Sequence, residues 1–206
     1  LTRTNTAPHA LQAGFAALPI TPKIDDTWTD KNGDAAFNEK DGDTYADNNG
    51  NGKFDAYWIA GFGHARAANG VHDDLWARAM VIDDGTTRKA LVVLDAIGFL
   101  HDDVIAVRRL IPASAEIDYA IIASTHVHEG PDLMGLWGQS DLESGVNQKY
   151  LASVREQAAQ AIMQAARNLR PAKLKLAQDL EGAAELVNDS RPPRVFDHGL
   201  RVLQAL

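Results

Sequence analysis

The chain has no cysteine, which removes disulfides and thiolate metal sites and leaves the redox compartment open. It has no apolar run long enough to span a bilayer. Basic side chains are in the minority, 20 against 28 acidic, for a net charge of −8. Such a surface repels phosphate backbones and anionic membranes, so nucleic acid is not an expected partner and cations are favoured. No initiator methionine opens the sequence and no signal-peptide core follows Leu1, so the start reads as a mature or trimmed N terminus. No internal repeat and no low-complexity segment stands out beyond one Asp/Asn/Gly-rich stretch.

What remains is ordinary globular material: 206 residues, 45% apolar, enough for one domain or part of a larger one. Ala13 to Ile20 is a short apolar strand closed by Thr21-Pro22. Trp76–Ile82, the turn Asp83-Asp84-Gly85 and Ala90–Asp95 read as a β-hairpin whose second strand is buried on both faces. Asp102 and Asp103 lead a short helix that ends with Arg108 and Arg109 before Pro112, a charge order that suits the helix dipole. Tyr119–Ser124 follows as a strand, so strand, helix, strand predicts a right-handed crossover within a parallel pair. Leu151, Val154, Ala158, Ala161, Ile162, Ala165 and Leu169 recur at three and four, marking a helix from about Asn147 that stops before Pro171. A strand at 173–177 and a final one from Leu200 complete the pattern, and the last segment reads as truncated because no turn or polar tail follows it. The expected class is α/β: a mixed, largely parallel sheet with flanking helices plus a loop insertion.

The most informative stretch is Ser124-Thr125-His126-Val127-His128-Glu129-Gly130-Pro131-Asp132. Side chains alternate faces on a strand, so His126 and His128 are expected on one side, at a strand end, where two neutral imidazoles can address one cation. The competing reading is two polar residues hydrogen-bonded to loop carbonyls. Open α/β sheets bind ligands at the carboxyl ends of parallel strands, which favours the site.

Residues 25–55 carry nine acidic side chains and three lysines, most of the chain's net charge. Asp47, Asn49, Asn51 and Asp55 stand at relative positions 1, 3, 5 and 9 of a loop with Gly52 at 6, the opening of an EF-hand-like calcium loop. Asp30, Asn32 and Asp34 repeat the first three positions, with Asp41 at position 12. Against calcium stand the absence of flanking helical patterns, Ala35 where glycine belongs, and Trp58 at position 12 of the second loop. A solvated acidic loop is the alternative.

In this order the pieces resemble the N-terminal part of the catalytic domain of the neutral/alkaline (non-lysosomal) ceramidase family. Four stretches carry the resemblance: Ala13-Gly14-Phe15 to Ile20-Thr21-Pro22; Gly70-Val71-His72-Asp73-Asp74-Leu75-Trp76-Ala77-Arg78-Ala79; Thr125 to Pro131; and Asn188-Asp189-Ser190-Arg191-Pro192. The resemblance implies a zinc-dependent amidase that hydrolyses an N-acyl linkage, with a lipid or small-molecule amide as substrate. It implies His126 as a direct zinc ligand, His128 in the same zinc site as a polar or proton-handling group, Arg191 as a substrate-contacting catalytic residue, and Gly61 as the point where substrate nears the backbone. The family's other ligands lie beyond Leu206, so the remaining C-terminal part of the same protein is an expected partner and this piece alone is expected to be inactive. Glu129 stands where those enzymes usually carry a small serine, and the acidic insertion has no counterpart.

Other residues keep two readings. His72 is either a ligand or the partner of a neighbouring carboxylate, Arg78 is expected to pair with an aspartate, and Trp137 either lines an acyl pocket or packs beneath the site. At the level of function, a calcium-dependent binding module and a metal-dependent ester or phosphoester hydrolase stand beside the amidase. The resemblance and the calcium loops together suggest a secreted or periplasmic location.

Overall fold

The computed structural model describes residues 10–206. In chain order the elements are β1 (Gln12–Pro19), β2 (Thr27–Thr29), β3 (Thr44–Ala46), β4 (Trp76–Asp83), β5 (Arg88–Leu94), α1 (His101–Leu110), β6 (Tyr119–Ser124), α2 (Gln148–Arg167), β7 (Arg170–Pro171), β8 (Leu174–Asp179) and β9 (Leu200–Ala205). The main sheet has the order β6-β5-β4-β1-β7. The mixed α/β class holds, but the sheet is less parallel than expected. Among the described residues of this sheet only β5 and β6 run parallel; β4–β5, β1–β4 and β1–β7 are antiparallel. The reason is connection length: the turn after β4 is a tight hairpin, whereas a parallel neighbour needs a crossover, which α1 supplies once.

Helix α2 lies across β1, β4 and β5, and α1 packs beside it. Its buried stripe is Leu151, Val154, Ala158, Ala161, Ile162 and Ala165, as the spacing predicts. Asn147 caps it, its side chain accepting from the backbone N–H of Lys149 and Tyr150. Gly14 is required here: a Cβ would run into the Ala165 carbonyl, so the helix backbone rests directly on β1. Arg155 of α2 donates to the buried Asp103 of α1, pinning the helices together. On the opposite sheet face, Phe15, Met80, Leu91 and Ile121 stand in one cross-strand row, with Phe15 52% and Ile121 48% exposed. Strands β8 and β9 form a separate hairpin.

The acidic insertion contains an internal repeat, contrary to the sequence reading. Asp26-Thr27-Trp28-Thr29-Asp30-Lys31-Asn32-Gly33-Asp34 aligns with Asp43-Thr44-Tyr45-Ala46-Asp47-Asn48-Asn49-Gly50-Asn51, and Phe37 aligns with Phe54. The halves pair about a pseudo-two-fold axis, with Trp28 opposite Tyr45 in the β2–β3 ladder and the Phe37 and Phe54 rings 4.4 Å apart. Each half holds the other's loop. Buried Asp43 accepts from the N–H of Lys31 and Asn38, and buried Asp26 accepts from the equivalent N–H groups of Asn48 and Asp55. Ala35 takes φ 60° at the position where Gly52 takes φ 78°, so the missing glycine does not prevent the turn. Trp28, Phe37 and Ala67, with Tyr45, Phe54, Ala56 and Trp58, form a small core of their own.

Candidate functional site

Strand β6 stops at Ser124, short of the histidines. Strand alternation therefore does not aim them, as the sequence had suggested; a turn does. The Thr125 and His126 N–H groups bond to the carbonyls of Leu94 and Ala96, keeping the chain against the end of β5. His126 then adopts φ 64°, a left-handed conformation unusual for a residue with a side chain. The result is the expected juxtaposition: the His126 and His128 rings lie edge to face with centroids 4.8 Å apart. They sit at the carboxyl ends of the parallel pair β5 and β6, the end at which open α/β sheets bind their ligands.

The hydrogen bonding of the two rings differs. His126 Nδ1 is 2.6 Å from the Ile97 carbonyl, which can only accept, so Nδ1 carries the proton and Nε2 is left as a lone-pair donor on an exposed ring. A carbonyl behind the far ring nitrogen is the usual support for a metal-ligating imidazole. His128 is half-buried, and among the described residues its Nδ1 has no partner. Gly61 lies against it with φ 126°, and a Cβ there would overlap the His128 ring. Phe62, 73% exposed, rests 4.8 Å from the same ring. Among the described residues no group of three or more His, Asp or Glu side chains is placed to hold a metal, so the donor set here is the two imidazoles.

The segment carrying Gly61 is joined to the histidine loop by the Ile59–Pro131 bridge and by the N–H of Ala60 and Ala65 donating to Gly130 and Gly138. Beyond the histidines, buried Asp132 accepts from the N–H of Met134, Gly135 and Trp137 and so shapes the following loop. A cavity of about 490 Å³ opens beside Val127 and Glu129, Gly130 and Pro131, with Ile59, Leu75 and Val127 on its apolar wall and Asp73, Asp74, Asp95 and Glu129 among its polar groups; neither His126 nor His128 lines it.

The remaining expected residues fall elsewhere. Arg191 is 90% exposed and meets Asp189 of its own loop at 3.3 Å; no described contact joins it to the histidines. His72 is exposed and pairs with Asp73 at 2.7 Å, and Arg78 pairs with Asp95 at 2.6 Å, the structural alternative in each case. In the insertion, Asp30 accepts from Gly33 and Ala35, and Asp47 from Gly50, Asn51 and Gly52. These backbone donors, Ala35 and Gly52 foremost, hold both carboxyls below the usual aspartate range. Asn32 bonds to Asp34, Asn49 and Asn51 converge on Asp55, and Asp41 accepts from Asn38 rather than turning into the first loop. Phe62, His64, Arg66 and Asp132 had not been expected at the site. The Asx turn after Gly130-Pro131 could have flagged Asp132, but nothing in the local sequence marks Arg66.

The fold is a mixed α/β one of the kind seen in ceramidase structures. In particular, the chain is similar in structure to neutral ceramidase from Pseudomonas aeruginosa, with TM-score 0.61 and 18% identity over 96% of this chain and 29% of that one. It is also similar to a ceramidase complexed with C2, with TM-score 0.54 and 19% identity over 82% of this chain and 23% of that one. The chain thus spans less than a third of the length of either enzyme. No protein-family model matches it, and no curated relative does.

Proposed function

We propose that the chain is the histidine-bearing part of a zinc-dependent amidohydrolase that cleaves an N-acyl amide, as the likeness to ceramidases suggests. The observation that carries the reading is the ring pair: His126 with Nδ1 tied to Ile97 and Nε2 free, beside His128 at 4.8 Å. In this reading His126 holds the metal through Nε2 and His128 completes its share of the site. A bound zinc supplies polarisation of the amide carbonyl and an activated water. The chain's own residues do the rest. The Ile97 carbonyl fixes the His126 tautomer, the missing side chain of Gly61 lets the His128 ring pack against that backbone, so the ring and not substrate fills the space expected for substrate at Gly61, and His128 takes or returns a proton. The cavity beside Val127 and Pro131 offers apolar wall to an acyl chain. Arg191 joins the reading only as a substrate contact made when its loop is brought to the site. The ceramidase resemblance also favours a secreted or periplasmic location.

Zinc content and hydrolysis of a panel of N-acyl amides, esters and phosphoesters by the full-length gene product test this. Expected is zinc retention and amide turnover, with His126→Ala losing most of the metal; absence of zinc and of amide turnover would end the reading.

The duplicated loops favour a second metal role. We infer that calcium binds the insertion through Asp30, Asn32 and Asp34 in one half and Asp47, Asn49, Asn51 and Asp55 in the other, because both halves keep oxygen side chains at matching positions. Its role would be to stiffen the insertion. A calcium titration followed by thermal melting checks it, and an unchanged melting temperature at millimolar calcium argues against it.

A further inference from the structure

Among the described residues, four buried polar side-chain atoms have no hydrogen-bond partner: His64 Nδ1, Arg66 Nη1, Ser124 Oγ and His128 Nδ1. All four belong to the two segments that meet at the ring pair. Buried polar groups are normally satisfied, so a concentration of exceptions marks a place where a ligand, an ion or ordered water completes the bonding. A metal can account for imidazoles but not for Arg66, whose guanidinium only donates and stays charged. Its nearest carboxylate is Glu129, 3.6 Å from Nη2, beyond hydrogen-bonding reach and 68% exposed, whereas the Arg66 side chain is only 22% exposed. The Arg66 Cζ stands 5.7 Å from the centre of the Phe62 ring, and that ring lies against His128. One aromatic ring therefore separates guanidinium from imidazole. The backbone holds Arg66 firmly, with its carbonyl accepting from Ile59, Ala65 at φ 59° before it and buried Ala67 after it.

We propose that Arg66 is a specificity-determining residue that receives a carboxylate carried by the substrate close to the scissile amide. The inference rests on the amidohydrolase reading and narrows its substrate class to N-acyl amino acids rather than neutral amides. Glu129 is the internal counter-ion, close enough to offset the charge of Arg66 in the empty site and exposed enough to swing aside. The planar fork of arginine pairs with a carboxylate through two parallel bonds, which neither a hydroxyl nor an ammonium group can reproduce.

The test is binding of three amides that share a dodecanoyl chain: N-dodecanoylglycine (anionic), N-dodecanoylethanolamine (neutral) and mono-N-dodecanoyl-ethylenediamine (cationic). Calorimetry on the whole chain should give at least about tenfold tighter binding of the anionic amide than of the neutral one, the scale of one charge-assisted contact. Arg66→Met should bring that ratio to unity, Arg66→Lys should keep part of it, and Glu129→Gln should raise it. If Arg66→Met does not fold, as read by its melting curve, the Arg66→Lys and Glu129→Gln ratios carry the comparison. Equal binding of all three amides, or a preference for the cationic one directed by the carboxylates of the neighbouring cavity, overturns the proposal. Hydrolysis is scored separately, on the full-length gene product: an intact charge preference there without turnover of any amide removes the amidase reading and leaves Arg66 as an anion receptor.

Discussion

The two regions rich in metal-ligand side chains are built in opposite ways. In the insertion the carboxylates of Asp26, Asp30, Asp43 and Asp47 are saturated with backbone N–H groups, and the side-chain amides of Asn32, Asn49 and Asn51 are spent on neighbouring carboxylates. Around the histidines, polar atoms are buried and left unmatched. The first region is folded by its own hydrogen bonds. The second is held in shape by its neighbours and keeps its donors and acceptors for something the described residues do not provide. Calcium in the insertion would have to share or displace bonds the loops already make, whereas a ligand beside the histidines meets unspent groups.

The largest effect that sharpens this contrast should come from the buried aspartates of the repeat. Asp26→Ala and Asp43→Ala each remove a charged acceptor from two backbone donors, and each should cost about 3 kcal/mol in urea unfolding. Closely similar losses are expected from the pseudo-symmetry, and a large inequality would break it. Gly61→Ala should cost about 2 kcal/mol, because it places a Cβ at φ 126° against an imidazole. Its distinguishing sign is a displaced His128 ring, read as a shift in that ring's proton resonances, with the insertion unaffected. Asn147→Ala, in neither region, should cost about 1 kcal/mol for the lost cap and serves as the baseline.

The smallest effect is a pH dependence that comes from exposed loop aspartates, those of the insertion among them. Asp30 and Asp47 titrate lower in the folded chain than the ordinary value of 3.8. Their contribution to stability is therefore fully present above that value and is lost as pH falls below it. Asp84, held at about 2 chiefly by the Thr86 hydroxyl and then by backbone N–H groups, gives the same sign in the β4–β5 turn. Carboxyl NMR titration should place all three below 3.8; a normal midpoint for Asp47 would mean that its loop does not close as described.

Much of this was legible in the sequence, for physical reasons that differ by element. The three-and-four spacing on α2 and the Asp-Gly hairpin turn are local signals, and they were read correctly. The histidine pair was placed at the right strand end for a partly wrong reason, since a left-handed His126 rather than strand alternation brings the rings together. The repeat went unread because its halves match in role more than in letter, with Tyr45 answering Trp28 and Asn51 answering Asp34. Arg66 was out of reach, because its importance arises from two loops that meet only in three dimensions. The shortage of parallel strands follows from one crossover in the chain, and strand patterns alone do not reveal direction.

Residues 56–69 belong to both regions at once. Ala56, Trp58 and Ala67 pack into the small aromatic core and the Ala65 carbonyl accepts from Phe37, while Gly61, Phe62 and Arg66 on the same stretch form one wall beside the imidazoles. The insertion is therefore a buttress as well as an appendage. Loosening it at Asp43 should blur discrimination among ligands beside the histidines without touching a residue that meets them, and whatever tightens it should steady that wall from a distance.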